Sequence, residues 1–491
     1  MNTKTVAILF LLFAIFAVSG CASDGGSDDR GETAADDDDA ALDDDADDDT
    51  SGDDDPDDDD ADDDAPPPDL AVPCVDAEDD VYVTPGGLPP FGDDERGAVV
   101  RCAPDETVDA ATVAERLADI EGITVTSGYR SYRVAYRTLR RDGIAGVGTA
   151  RLLLPDSPAP GPLPIVAVAH GTVGLADFCA PSKTPRPSDD LIVPWVAAGL
   201  PVIAPDYAGM GNEGTQGYGS MPDTVRSVID AARAAIRAKT PGALDGRMIV
   251  AGHSQGGGAA LGTQARMAID GEPDLSLVAA ISFAGDYPDG NSANAFRLPN
   301  WPIDTGAGVT RVVVALALYA AFANLFGIDH IADAYQPDIA DAVIESIETQ
   351  CVFGITATLA TPTADYTPPD TVGEMVEPAF REEVVDCLND AAECTARAAA
   401  YTQWTTENDV PMDADGAPVL MLSGLDDVQR LPTEQACLYD DMVEAGIDVQ
   451  SCAFAGVDHM GLPAAGIGFA IDWATTGGGE CPTDDALPAC P

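Results

Sequence analysis

The chain has 491 residues, 45% of them hydrophobic, long enough to bury a large core. Its 24 Lys and Arg face 85 Asp and Glu, a formal net charge of −61, which argues against a nucleic-acid partner because such binding needs a basic footprint. Among 11 Cys and four His no zinc-type spacing occurs, and neither a metal nor a cofactor is expected.

After Lys4, an almost unbroken apolar run fills residues 6–18. It is too short for a bilayer core of about 30 Å and has the length of a signal-peptide h-region. The run ends in Val18-Ser19-Gly20-Cys21, which resembles the lipobox of bacterial lipoproteins. That resemblance implies cleavage before Cys21, lipidation of Cys21, and a membrane partner through the N-terminal lipid anchor. Ala22, where an Asp would hold the protein back, resembles lipoproteins sorted to an outer membrane. Residues 1–21 are therefore expected to export the protein and anchor it there.

Residues 22–70 form a separate unit. Between 22 and 69 there are 24 Asp, one Glu and one Arg, and no aromatic residue. Such a segment cannot bury enough apolar surface to offset its conformational entropy, and its charges repel. It reads as a solvated tether. Its charge is −24, so with Lys4 discounted the rest of the chain still carries −38. No D-x-D-x-D-G spacing appears in the Asp runs, so no calcium loop is expected. With Cys21 lipidated, ten Cys remain, an even number that favours structural disulfides in an exported protein. Connectivity is not deducible from spacing; local pairs such as Cys437 with Cys452 and Cys481 with Cys490 fit it.

Globular composition begins near residue 71. "VAYRTLRRDG" and "GVGTARLLLP" alternate and predict an antiparallel hairpin. Three apolar runs follow, "LPIVAVAHGTVG", "LPVIAPDYAGMG" and "RMIVAGHSQGG", and then "SLVAAISFAG". Helical patterns such as "TVRSVIDAARAAIRAK" separate them, the signature of a parallel sheet covered on both faces. A fifth run, "APVLMLSGLDD", arrives only after residue 416. The expected plan is an α/β core in two parts, 71–285 and 417–491, interrupted by a helical cap insertion at 286–416. Within that insertion "TRVVVALALYAAFANLFG" is read as a buried cap helix or part of an apolar substrate wall.

Gly252-His253-Ser254-Gln255-Gly256 matches G-x-S-x-G, and its context fits: a strand, "MIVAG", runs into a small-residue helix. A serine hydroxyl there needs a base to take its proton and an acid to orient that base. Of the four His, His170 ends a strand, His253 lies inside the motif, and His330 sits in the insertion. His459, after the last core strand, remains as the base. The acid belongs at the end of the preceding strand, where Asp426 and Asp427 both stand, with Asp427 preferred. The order Ser254, Asp427, His459 is that of α/β-hydrolases.

"HGTVGLADFCAPS", "GLPVIAPDYAGMG", "VAGHSQGG", "GLDDVQRLP" and "GVDH" together resemble the secretory lipase family of α/β-hydrolases, over residues 130–475. The resemblance implies an α/β-hydrolase fold, an ester or lipid substrate, and an acid three residues after the loop glycine, matching Gly424 and Asp427. It implies an oxyanion hole from Gln255 and Asp206; the wider superfamily pattern points instead to Thr172 for the second donor. The chain departs from the family at Gln429-Arg430-Leu431-Pro432, and its insertion shows no shared motif. A serine peptidase on the same fold and an inactive surface-binding lipoprotein are the alternative expectations. Oligomeric state is not legible.

Overall fold

In the computed structural model, the described residues are 70–83, 90–183, 189–240, 242–285, 331–363, 367, 369–399, 407–408 and 410–490. The lipobox with Cys21, the Asp-rich tether, the apolar run of the insertion and His330 lie outside them.

Nine strands form one sheet in the order β1-β2-β3-β5-β4-β6-β7-β8-β9. The expected hairpin is β2 (Tyr129–Leu139) and β3 (Ala145–Pro155), in unbroken antiparallel register from Tyr129 opposite Pro155 to Leu139 opposite Ala145. Gly143, with φ 78°, takes the left-handed position of the turn at no steric cost. β4 (Leu163–Ala169), β5 (Val202–Pro205), β6 (Leu244–His253), β7 (Ser276–Phe283), β8 (Val419–Gly424) and β9 (Val449–Phe454) are mutually parallel. Their near-continuous apolar runs suit strands covered on both faces, and β8 is buried along its whole length.

No alternating run announces β1 (Val99–Val108), which pairs antiparallel with β2 at the sheet edge. Pro104 and four charged or polar neighbours break its alternation, and a proline without an N–H is tolerated best on an edge strand.

Helices cover the sheet. α3 (Met221–Ala238) packs on β2, β4 and β5 and against α4 (Gln255–Asp270), while the last helix, α10 (Leu462–Thr476), packs on β7, β8 and α2 (Asp189–Ala197). The described part of the insertion is helical, with α5 (Ala340–Thr349), α6 (Val352–Ala360), α7 (Val372–Met375) and α8 (Pro378–Asn389). α9 (Pro432–Glu444) bridges β8 and β9.

All ten Cys after Cys21 are paired: 74–102, 179–351, 387–394, 437–490 and 452–481. The expected pairs Cys437–Cys452 and Cys481–Cys490 are therefore corrected. The tail after α10 folds back along β9, where Thr483 Oγ1 donates to the Ala453 carbonyl and Ala455 N–H donates to Asp485. That return sets Cys481 beside Cys452 and carries Cys490 on to Cys437 in α9.

Candidate active site

Every candidate residue sits at or just beyond the C-terminal end of a parallel strand. Ser254 follows β6 and caps α4, with φ 57° and ψ −116°, a conformation rarely adopted by a residue bearing a Cβ. Close backbone approach makes its glycine neighbours necessary. A Cβ on Gly252 would lie 2.1 Å from the Gly256 carbonyl oxygen, and one on Gly256 would lie 2.0 Å from that of Ala169. The turn is thus pressed between the ends of β4 and β7; on the β7 side Ser254 N–H donates to the Phe283 carbonyl at 2.9 Å. The N–H of Gln255 opens α4, so the partial positive charge of a 16-residue helix converges beside Ser254.

His459 lies in the loop between β9 and α10, and Asp427 in the loop after β8; both are buried. His459 Nδ1–H donates to Asp427 Oδ2 at 2.7 Å. Asp427 Oδ1 accepts from the N–H groups of Gln429 and Arg430, each at 2.8 Å. Burial alone would push the Asp427 carboxyl up, but the hydrogen bond and charge of His459, with the two N–H donors, hold it below the usual carboxylate range. Asp426, the other candidate acid, is exposed and its N–H donates to the Val457 carbonyl. The tautomer of His459 that keeps the Nδ1–H bond to Asp427 leaves Nε2 as the acceptor nitrogen.

The residue before Ser254 also reaches His459. His253 Nε2 is 2.9 Å from the His459 carbonyl oxygen, and the two rings lie 4.5 Å apart at 45°. Burial and the facing His459 push the His253 imidazole down to about 3, so it is neutral at ordinary pH.

The two oxyanion candidates differ in surroundings. Asp206 is fully buried, and its carboxylate accepts from Thr149 Oγ1 at 2.7 Å, Ser182 N–H at 2.8 Å and the Ser182 hydroxyl. Its N–H donates to the Thr149 carbonyl at 2.8 Å. Burial raises its pKa to about 6 against the lowering effect of Ser182 and Thr149. Its polar groups are thus committed to the scaffold. The segment at Gly171 and Thr172 runs beside the turn instead: a Cβ on Gly171 would lie 3.6 Å from Ser254 Cβ and 3.3 Å from the His253 carbonyl oxygen.

Neighbours that the sequence reading does not single out hold this segment. Thr172 Oγ1 and the Tyr218 hydroxyl are 2.6 Å apart, and the Tyr207 hydroxyl donates to the His170 carbonyl at 2.9 Å. His170 is stacked on Tyr207 at 4.2 Å, and burial lowers its pKa. Val352 N–H donates to the Val173 carbonyl, and the Cys179–Cys351 disulfide ties the same stretch to the insertion. No local signal marks Tyr207, Tyr218 or Val352, because their partners lie in other loops. Among the described residues, no group of three or more His, Cys, Asp or Glu is placed to hold a metal ion.

A family model described as secretory lipase matches residues 187–477. No curated protein matches the chain. Among solved structures, the rice cell wall degrading esterase LipA from Xanthomonas oryzae is 19% identical with a TM-score of 0.58, over 78% of this chain and 96% of that one. Candida antarctica lipase A in its closed state is 17% identical with a TM-score of 0.57, over 84% of this chain and 89% of that one. At these identities the likeness shows a shared fold, the α/β-hydrolase fold.

Proposed function

This chain belongs to the secretory lipase family, and on that premise we propose that it is a serine carboxylic-ester hydrolase working through an acyl-enzyme. The reading is supported by the buried 2.7 Å contact of Asp427 with His459, together with a Ser254 held at φ 57° on a helix N-terminus.

In this reading Ser254 Oγ attacks the ester carbonyl carbon while His459 Nε2 takes its proton. Asp427 keeps the ring in the required tautomer and stabilises the imidazolium. The carbonyl oxygen becomes an oxyanion, which receives hydrogen bonds from the Gln255 N–H and the Thr172 N–H. Thr172 is preferred to Asp206 because the Asp206 N–H and carboxylate already have partners. The tetrahedral intermediate collapses, the alcohol leaves with the proton from His459, and a water activated by the same His459 releases the acid. Val428 and Met460, next to Asp427 and His459, expose apolar side chains that suit an apolar ester.

The family name and the five disulfides support export to an oxidising compartment. The Cys21 lipobox adds to our proposal an outer-membrane lipoprotein held on an acidic tether. Hydrolysis of p-nitrophenyl esters of graded chain length, beside Ser254→Ala, tests the activity. Equal rates for both proteins on every ester would overturn it, and turnover of peptides alone would move the assignment to a peptidase.

A further inference from the structure

His253 occupies the position of G-x-S-x-G whose side chain the chemistry leaves unassigned. Its ring reaches across to the loop of the base. We propose that His253 is a positioning residue that clamps the nucleophile turn to the His459 loop through its Nε2–H and its ring face. The inference rests on the triad proposed above.

Three observations carry it. His253 Nε2 lies 2.9 Å from the His459 carbonyl oxygen, and a carbonyl can only accept, so Nε2 bears the proton. The rings of His253 and His459 touch, with centroids 4.5 Å apart. Gly171 also lies close to the ring, since a Cβ there would be 3.6 Å from His253 Nδ1. The ring thus contacts both the Gly171 backbone and the His459 loop.

The titratable groups facing His253 are His459, from the loop after β9, and Asp427, from the loop after β8; Gly171, after β4, brings no charge. A neutral donor is the form the clamp requires, since an imidazolium at His253 would oppose the imidazolium that forms on His459 during turnover. His459 is then restrained at three places: its Nδ1 by Asp427, its carbonyl by His253, and its ring face by His253. His253 and Ser254 are consecutive, so the same restraint sets the nucleophile against the base. The clamp acts on the position of the nucleophile relative to the base, so its loss is expected to fall on kcat rather than on KM.

The test compares wild type with His253→Phe, His253→Gln and His253→Ala on one p-nitrophenyl ester, with fluorophosphonate labelling rates and thermal midpoints for each. Phe keeps a ring without a donor; Gln keeps an N–H donor able to reach the same carbonyl. We expect kcat to fall about fivefold to tenfold in His253→Phe with KM within about twofold, and labelling to slow in parallel. His253→Gln should recover most of kcat relative to His253→Ala, a rescue that also serves if His253→Phe fails to fold. Wild-type kcat in His253→Phe, or equal losses in His253→Gln and His253→Ala, would overturn the clamp while leaving the esterase reading intact. A wild-type protein that neither hydrolyses esters nor labels at Ser254 would overturn the functional reading, and the clamp with it.

Discussion

Asp427 and His459, 32 residues apart in sequence, meet through a buried 2.7 Å contact between Oδ2 and Nδ1. β8 and β9 run parallel and adjacent, so the loops at their C-terminal ends are neighbours, and the pairing of Gly424 with Phe454 brings them to one level. Gly424 itself is pressed on the second loop: a Cβ there would lie 2.3 Å from the Val457 carbonyl oxygen.

The first expected outcome follows from that contact. Asp427→Ala should lower kcat/KM on esters by roughly 10³- to 10⁴-fold, because the neutral His459 loses the partner that fixes its tautomer. Asp426→Ala should stay within about twofold of wild type, since its side chain is exposed and the His459 Nδ1–H bond goes to Asp427. Steady-state kinetics on the two variants decides between the loop aspartates.

Gly256→Ala should abolish activity in a folded or partly folded protein. The added Cβ would meet the Ala169 carbonyl oxygen at 2.0 Å and that of His170 at 2.8 Å, both backbone atoms that cannot swing away. Fluorophosphonate labelling should be lost together with turnover. Normal labelling in this variant would mean that the turn tolerates a shift its packing forbids.

The pH dependence of stability has a definite sign at two of these groups. His253 is lowered from 6.5 to about 3 by burial and the facing His459, so the unfolded chain binds its proton first. Its contribution is present above pH 6.5 and is lost as the pH falls toward 3, by at most about 1.4 kcal/mol per pH unit. Asp206, raised from 3.8 to about 6 by burial, acts in the opposite sense: its contribution is present below 3.8 and is lost as the pH rises through 6. Urea unfolding at pH 7 and pH 4 should therefore show a smaller loss in His253→Gln than in wild type. An equal loss would show that His253 is not held neutral.

Removing the Cys179–Cys351 bridge should loosen the Thr172 segment as well as the insertion. With a sequence separation of 172 between the cysteines, the bridge restrains a long loop of the unfolded chain. The double Ser variant should lose about 2–4 kcal/mol of stability and several-fold in kcat. The Cys387–Cys394 bridge spans only 7 residues, and its double Ser variant should change kcat little. Chemical denaturation beside kinetics on both variants checks this contrast.

Arg233 offers a stability test away from the site. Its guanidinium pairs with Asp230 at 2.8 Å, with Asp274 at 2.9 Å and with Glu272, and the Asp230 side chain is wholly buried. Arg233→Ala should cost about 3 kcal/mol by leaving carboxylates under-compensated, softened by the remaining Arg96–Asp230 pair at 2.9 Å. Turnover per folded molecule should be unchanged.

What the chain determines by itself is what depends on near neighbours. Apolar runs declare the parallel strands because a strand buried on both faces needs no polar alternation. Gly252, Ser254 and Gly256 declare the turn because its strain and close contacts arise within a few residues. Strand order then limits the candidate acid and base to two loops. Tertiary structure decides whatever depends on which loop returns beside which. It selects Asp427 over Asp426 as the partner of His459, brings the Gly171 backbone alongside Ser254, and redirects Cys437 to Cys490 as the tail folds back over β9. It also turns His253 from an arbitrary letter in the motif into a contact of His459, a distance of 206 residues that no local pattern encodes.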